Sequence, residues 1–197
     1  MTHYWDCCKP SCGWDAGQGE ARLPLRTMCD ETGKKLGSEG VSAESACNAG
    51  GRGVTMCADQ APFYDAASGT WMGFVATQDR GTRGDCCDCY ELSVRNFSKP
   101  IVVQITNHGT VNGIFDLLLP GGGFGQNRGC EIMFPKAKSV EQDQFGGLHH
   151  ERDCAVVFQG HHADIAACRW MFESGVFPYP SPGVKYPADA TVLRSQK

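Results

Sequence analysis

The sequence lacks the features that would direct this chain into a membrane or onto nucleic acid. No stretch approaches the roughly 18 consecutive apolar residues that a membrane-spanning helix needs. Basic residues are not in excess, because 18 Lys and Arg stand against 22 Asp and Glu and give a formal net charge of −4. A surface of this charge suits a neutral polymer better than nucleic acid or an anionic membrane, so neither of the latter is expected as a partner.

An apolar signal region and long regular helices are also not indicated. The chain opens on a polar segment at Met1, so we expect the sequence to be that of a mature protein. The 25 Gly and 10 Pro follow no period, which is typical of a protein with many loops. A length of 197 residues suffices for one domain and is short for two. We therefore predict a single β-rich domain over residues 1–197.

Cysteine, in contrast, is abundant. An even number of cysteines in a chain that could otherwise build a core is typical of an extracellular protein with cross-linked loops. Zinc is the alternative, because Cys86 and Cys89 have the spacing of a ligand pair, but no second pair follows at a suitable distance. We therefore expect disulfides and secretion. The twelve cysteines are Cys7, Cys8, Cys12, Cys29, Cys47, Cys57, Cys86, Cys87, Cys89, Cys130, Cys154 and Cys168.

The middle of the chain carries the clearest strand signals. Residues 1–60 show no sustained period and are expected to be irregular. Four short runs of β-branched, aromatic and aliphatic residues predict strands, at 71–77, 89–96, 101–107 and 113–119. Further along, the patterns favour a short helical turn within 152–169, a short strand at 170–172 and a closing helix at 187–197. Several short strands joined by long loops suggest a small barrel.

The first candidate for chemistry is Asp6, which lies among aromatic residues and cysteines. Tyr4, Trp5 and Trp14 offer flat faces of the kind that stack on sugar rings, and disulfides beside Asp6 would fix its position. The alternative is that Asp6 caps or pairs locally and that the aromatic residues belong to the core.

The second candidate is Asp116, which lies in an apolar run. In a strand it would share a face with Ile114 and Leu118, and apolar neighbours disfavour an ionised carboxyl group. The alternative is a buried structural aspartate bonded to the backbone. Together, one carboxyl group in an electrostatically ordinary loop and one in an apolar strand form the pair that glycoside hydrolysis needs, a base that stays ionised and an acid that stays protonated.

The segment from Thr2 to Trp14 closely resembles the opening motif of glycoside hydrolase family 45, the fungal-type endoglucanases, with His3 where Arg is usual. The resemblance continues through residues 57–62, 73–77, 86–92, 102–104, 115–117, 120–123 and 129–130. It implies a six-stranded double-psi β-barrel with long disulfide-stapled loops and an open groove. It also implies a monomeric enzyme that needs no metal or cofactor and hydrolyses β-1,4-glucan with inversion.

The resemblance implies roles for particular residues. Asp6 falls on the general base and Asp116 on the general acid of the family. Positions that line the sugar subsites are matched by Thr2, Tyr4, Trp14 and Ala76. The implied disulfides are Cys7–Cys130, Cys8–Cys47, Cys12–Cys86, Cys29–Cys57 and Cys154–Cys168, which leaves Cys87 and Cys89 without their usual distant partners.

The chain also departs from the family pattern. Before the catalytic acid the family usually has an aspartate and a histidine, where this chain has Gly109 and Ile114. We therefore expect a mobile lid in this segment and a missing transition-state-stabilising acid, a role that Asp85 or Asp88 could fill instead. The alternative function is that of a non-catalytic, expansin-like wall-loosening protein of the same barrel type. Expansins keep the acid and lack the base, so Asp6 favours the enzyme.

Overall fold

The structure is a computed structural model that describes residues 1–14, 27–48, 52–78, 86–112, 114–127, 129–177 and 190–196. The strands are β1 (Thr2–Tyr4), β2 (Met28–Cys29), β3 (Lys35–Leu36), β4 (Phe63–Asp65), β5 (Thr70–Gln78), β6 (Cys89–Val94), β7 (Ile101–Asn112), β8 (Asp116–Leu118), β9 (Gln142–Asp143), β10 (Gly147–Leu148) and β11 (Val192–Gln196). The α-helices are α1 (Glu39–Ser42), α2 (Cys130–Met133), α3 (Arg152–Val157) and α4 (His162–Glu173), and 3-10 turns lie at Ser11–Gly13, Ala58–Gln60 and Pro135–Ser139. None of the helices in these ranges has the length and apolar character needed to cross a bilayer.

One curled sheet carries the fold. Its strands follow the order β1-β8-β5-β7-β6-β11, and β4 pairs with β5 beside this path. The pairs β1–β8 and β5–β7 are parallel, and the others are antiparallel. The two ends of the sheet meet where the amino group of Met1 donates to the carbonyl of Ala190 at 2.8 Å and the Ala190 amide donates to the carbonyl of Met1 at 2.9 Å. The predicted mainly β barrel is confirmed, with β4 as an addition to the six strands of the path.

The core lies on the inner face of this sheet. Along β7 the fully buried residues Ile101, Val103 and Ile105 alternate with the partly buried Val102 and Gln104. This two-residue period is that of a strand with one face in the core, and it explains why the run was recognisable in the sequence. Short strands such as β1 offer too few residues for a period, and β1 lies in the region expected to be irregular.

Five disulfides join loops, turns and helices that lie outside the curled sheet. They are the five that the family resemblance implied, Cys7–Cys130, Cys8–Cys47, Cys12–Cys86, Cys29–Cys57 and Cys154–Cys168. Within the described ranges, Cys87 and Cys89 are the two cysteines outside these bridges. The disulfide prediction is therefore confirmed in full.

Two predicted elements near the C-terminus are wrong. Residues 170–172, expected as a strand, belong to the last part of α4. Three aromatic or apolar residues fit either element, and here Met171 and Phe172 are buried by the helix. The closing helix predicted at 187–197 is replaced, in its described part, by the strand β11, which pairs with β6. The helical turn expected within 152–169 corresponds to α3 and to most of α4.

Candidate active site

The register between β1 and β8 sets Asp116 beside Thr2. The two residues are paired across the parallel strands, and Thr2 Oγ1 donates a hydrogen bond to Asp116 Oδ1 at 2.6 Å. On its other side β8 pairs with β5, where Ala76 is the register partner of Asp116. Leu117 and Leu118 are fully buried and anchor the strand. Asp116 itself is half-buried, so its carboxyl group is fixed at the edge of the core.

The predicted strand around Asp116 begins later than expected. Residues 114 and 115 lie outside β8, and Ile114 is 36% exposed. The apolar surroundings expected on both sides of Asp116 are therefore present on the side of Leu118 alone. The reason is that β8 has only three residues, so the alternation assumed from residue 113 onward does not apply.

Asp6 is positioned by a turn and by two disulfides. It lies two residues after the end of β1, and its Oδ1 accepts a hydrogen bond from the Cys8 amide at 3.0 Å. Cys7 has a φ of 57°, a left-handed conformation that turns the chain directly after Asp6. The sulfurs of Cys7 and Cys8 are bonded to Cys130 and Cys47, respectively. The carboxyl group is thus held by a short, doubly cross-linked loop.

Burial raises the pKa of Asp6 above its ordinary value, and the Cys8 amide partly opposes that rise. The sequence interpretation placed Asp6 in an electrostatically ordinary loop, so this part of the prediction is wrong. The close packing has a visible cause in Gly125, where a Cβ atom would lie 3.3 Å from Asp6 Cβ. A glycine at this position lets the neighbouring loop approach the carboxyl-bearing residue.

The charges of both carboxyl groups act on the phenol of Tyr4. Burial raises its pKa well above the ordinary value, and the charges of Asp6 and Asp116 add to the rise. Tyr4 Oη accepts a hydrogen bond from Asn107 Nδ2 at 3.1 Å. Since the phenol oxygen accepts this hydrogen bond, its O–H remains available as a donor.

A polar network behind Tyr4 was not identified in the sequence. Asn107 Oδ1 accepts hydrogen bonds from the Ser11 amide at 2.9 Å and from the His108 amide at 3.0 Å. Ser11 Oγ in turn lies 2.9 Å from His108 Nδ1. These contacts fasten the Ser11–Gly13 turn to β7. Asn107 carried one signal, its position at the end of a predicted strand, but contacts across about 100 residues leave no local pattern.

Trp14 follows this turn and is 40% exposed. Lys9 Nζ lies 3.6 Å from the centroid of its ring and also donates to the carbonyls of Val41 and Ala43. The lysine therefore supports one aromatic surface while the ring remains accessible. Of the four predicted subsite residues, Thr2 and Ala76 flank Asp116. The charges of both acids act on Tyr4. Trp14 follows the Ser11–Gly13 turn, which is bonded to Asn107, the residue that also bonds Tyr4.

The segment predicted as a mobile lid is part of a strand. The backbone of residues 109–112 belongs to β7, and Asn112 is paired with Gln78. Between the pairs of Ala76 with Asn107 and of Gln78 with Asn112, β7 carries an irregularity in register. Gly113 and Asp85 lie outside the described residues. Asp88 is half-buried, and its carbonyl accepts a hydrogen bond from the Ile105 amide at 2.9 Å.

One group of potential metal ligands occurs among the described residues, formed by Cys12, Cys86 and His108. The two sulfurs are bonded to each other, so this group does not offer thiolates to a metal. The adjacent histidines His149 and His150 contact carboxylates instead, with distances of 2.9 Å from His149 Nε2 to Asp143 Oδ2 and 3.2 Å from His150 Nε2 to Glu141 Oε2. Asp6 and Asp116 are the two carboxyl groups of the candidate site.

Comparison with known proteins gives consistent results. A family model described as glycosyl hydrolase family 45 matches residues 1–185. An endoglucanase from Cryptopygus antarcticus is 34% identical over 176 residues, which cover 87% of this chain and 74% of the relative. A putative endoglucanase type K from Fusarium oxysporum is 35% identical over 181 residues, which cover 87% of this chain and 45% of that relative. The crystal structure of the cellulase from the Antarctic springtail Cryptopygus antarcticus matches with a TM-score of 0.72 and 30% identity, over 98% of this chain and 88% of that one.

Proposed function

The chain belongs to glycosyl hydrolase family 45 and is an endo-acting β-1,4-glucanase, and we propose that Asp116 is its general acid and Asp6 its general base. The observation that carries this proposal is that β1 links the two carboxyl groups. At one end of β1, Thr2 holds Asp116, and two residues beyond its other end lies Asp6. Four residues of extended chain span at most about 13 Å, and the charges of Asp6 and Asp116 both act on Tyr4, which supports the assignment of the two carboxyl groups to one site.

The proposed reaction is a single displacement. Asp116, in its protonated form, gives its proton to the departing glycosidic oxygen. Asp6, in its ionised form, takes a proton from a water molecule that attacks the anomeric carbon from the opposite face. The C–O bond to the leaving sugar breaks as the new C–O bond to water forms, so the β-linkage yields an α-product. This geometry requires carboxyl groups roughly 6.5 to 9.5 Å apart.

The neighbouring residues have supporting roles in this proposal. Thr2 orients the carboxyl group of Asp116 through the hydrogen bond to Oδ1 and is a positioning residue. The O–H of Tyr4 can donate to a substrate oxygen between the acids. Ala76 keeps the position beside Asp116 small, which leaves space for a sugar ring. The accessible ring of Trp14 is suited to stacking on a pyranose face.

The wider context follows from the same features. The substrate is a β-glucan polymer, cellulose or a related plant cell-wall glucan. Five disulfides are typical of an oxidising compartment, which supports an extracellular enzyme. We further propose that residues 1–197 act as one catalytic domain and as a monomer.

The test removes each proposed catalytic group separately. Asp116→Asn and Asp6→Asn should each lose at least about 10² in kcat/KM on soluble β-glucan, because general acid or base catalysis contributes about this much. Asp59→Asn changes an exposed acid that is paired with Lys35 and serves as the matched control, with activity expected to be unchanged. Retention on insoluble glucan should be similar for all variants, since the substitutions leave the binding surface in place.

The stereochemistry gives an independent readout. Proton NMR of fresh hydrolysate should show the α-anomer before mutarotation. If the β-anomer appears first, or if Asp6→Asn retains nearly full activity, then Asp6 is not the base of an inverting reaction. Reducing-end release from a panel of soluble glucans would, in the same experiment, rank the preferred substrate.

A further inference from the structure

The turn between β6 and β7 carries a sequence feature that the glucanase reaction does not use. Asn96, Phe97 and Ser98 form an Asn-x-Ser triplet whose middle residue is not proline. In secreted proteins this triplet is the acceptor signal for an N-linked oligosaccharide, which needs a position on the surface. The chain has five asparagines, and Asn96 alone is followed two positions later by Ser or Thr. Such triplets also arise by chance, so the structure around this one decides its use.

Both polar side chains of the triplet are exposed to solvent. Within the described part of the chain, neither the Asn96 amide group nor the Ser98 hydroxyl group makes a hydrogen bond. The backbone of Asn96 has a φ of 65°, a left-handed conformation that asparagine adopts more readily than most residues. A sugar on the amide nitrogen of Asn96 therefore replaces no side-chain contact of the described structure and extends into solvent.

Phe97 fixes this turn from the inside. Its ring is partly buried, with its centroid 6.4 Å from that of Trp71 and 6.3 Å from that of Trp170. The Phe97 amide donates a hydrogen bond to the carbonyl of Val94 at 3.2 Å, which closes the turn at the end of β6. The middle residue of the triplet is thus anchored to an aromatic cluster, while its two polar neighbours lie outside. Their exposure is a feature of an ordered turn.

The turn lies at the opposite end of β7 from the proposed catalytic acid. The strand begins at Ile101, shortly after the triplet. Six residues later, Asn107 is paired with Ala76, which is also the register partner of Asp116. Six residues of strand span roughly 20 Å, so the attachment point is well separated from the carboxyl group of Asp116.

We propose that Asn96 is an N-glycosylation site of this protein and that its oligosaccharide leaves the substrate groove open. In the transfer, the amide nitrogen of Asn96 forms a bond to C1 of an oligosaccharide carried on a lipid pyrophosphate. The bond between C1 and the pyrophosphate oxygen breaks, the lipid pyrophosphate leaves with the electron pair, and the amide nitrogen releases one proton. The proposal rests on the extracellular route that the disulfides support and does not depend on the roles of Asp6 and Asp116.

The test uses the protein secreted from a eukaryotic host whose own secreted proteins carry N-linked oligosaccharides. Mass spectrometry of the intact protein should show a single oligosaccharide, which peptide N-glycosidase removes. Because this enzyme converts the modified asparagine to aspartate, peptide mapping should then locate the change at position 96. Secreted protein that has its five disulfides and carries no oligosaccharide would overturn the proposal.

Variants separate the acceptor signal from the folding of the turn. Asn96→Gln moves the amide group out along the side chain and should abolish the modification. Ser98→Ala leaves Asn96 and its backbone conformation in place and should abolish it as well, whereas Ser98→Thr keeps the hydroxyl group and should preserve it. Asn48→Gln is the matched control, because Asn48 is an exposed asparagine outside such a triplet and its substitution should change nothing. An oligosaccharide that persists in Ser98→Ala or in Asn96→Gln would contradict the site.

Activity tests the second part of the proposal. Because the attachment point and Asp116 lie at opposite ends of the strands, kcat/KM on soluble β-glucan should be the same before and after removal of the oligosaccharide. A rise in kcat/KM on removal would show that the sugars obstruct the substrate groove and would overturn this part.

Discussion

Asp116 and Asp6 are held by two different kinds of structure. Asp116 begins a strand between β1 and β5, so sheet register and the hydrogen bond from Thr2 determine where its carboxyl group lies. Asp6 lies outside the sheet, in a turn that depends on cross-links through Cys7 and Cys8. A sheet positions a side chain through many cooperative backbone bonds, whereas a turn needs covalent or side-chain support at the residue itself.

The difference predicts different sensitivities. Damage to a disulfide should disturb Asp6 before it disturbs Asp116, and damage to a side-chain hydrogen bond should disturb Asp116 without unfolding the turn at Asp6. Each carboxyl group also has its own electrostatic setting, because burial dominates at Asp6 while Asp116 receives a hydroxyl donor. The comparison can therefore be tested separately at each acid.

The largest effect is expected from removing the bridge next to Asp6. The double substitution Cys7→Ser with Cys130→Ser opens a bridge between residues 123 positions apart and should cost about 2 to 5 kcal/mol of stability. Because Cys7 directly follows Asp6, kcat/KM should fall as well, even at temperatures well below the midpoint of unfolding. Thermal unfolding followed by circular dichroism gives the loss of stability. Hydrolysis of soluble glucan, measured well below the Tm of each protein, gives kcat/KM of the folded enzyme.

The matched control removes the bridge between Cys154 and Cys168, which joins α3 to α4 at a separation of 14 residues. Its loss should also lower Tm, but the folded protein should keep its kcat/KM, because neither cysteine adjoins a catalytic residue. Equal activity of the two folded double variants would mean that the turn at Asp6 does not need its cross-link.

A smaller effect is expected from removing the Thr2 hydroxyl group, which donates a hydrogen bond to Asp116. Thr2→Val keeps the shape of the side chain and removes a hydrogen bond to a carboxylate, which is worth about 1.5 to 3 kcal/mol, or roughly 10- to 100-fold in rate if it is fully needed. Since a donor stabilises the ionised carboxylate, its loss should also move the basic limb of the kcat/KM profile to higher pH.

Thr2→Ser keeps the hydroxyl group and should restore most of the activity together with the original pH profile. A purely structural role of Thr2 would lower the amount of folded protein without moving the basic limb. Full activity of Thr2→Val at every pH would show that sheet register alone positions Asp116.

The sequence supports some parts of this structure better than others. The strand β7 was recognisable because its alternating buried residues are a local pattern, and the disulfides followed from the family resemblance. The strand β11 was missed because its pairing with β6 joins segments about 100 residues apart. Local propensity contains no information on such a partner.

The candidate site, like the fold, contains residues that the sequence predicted and residues that it did not. Asp6 and Asp116 were selected from their residue type, their surroundings and the family motif. Asn107, which holds Tyr4, was not selected, because its contacts to residues 4 and 11 exist only once β7 lies beside the N-terminal segment. The burial of Asp6 was missed for a similar reason, since Gly125 comes close to it through folding and not through sequence.

The smallest effect concerns stability and has the opposite sign to the loss of activity. Burial raises the pKa of Asp6 above the unfolded value of 3.8, so the folded state holds the proton more tightly than the unfolded chain does. By linkage, stability falls as pH rises from that unfolded value through the folded pKa, and above it the full penalty remains.

Asp6→Asn removes the buried charge and can still accept the hydrogen bond from Cys8. We therefore expect its Tm at pH 7 to exceed that of the unsubstituted protein, by a smaller margin than the loss caused by opening the Cys7–Cys130 bridge. The difference should disappear below about pH 3.8, where the carboxyl group is protonated in the folded and in the unfolded protein alike. Asp116→Asn should show no such gain, because it weakens the hydrogen bond from Thr2. Thermal unfolding of the three proteins between pH 3 and pH 8 decides the matter, and an Asp6→Asn protein that is no more stable at pH 7 would show that the loop bears no penalty for its charge.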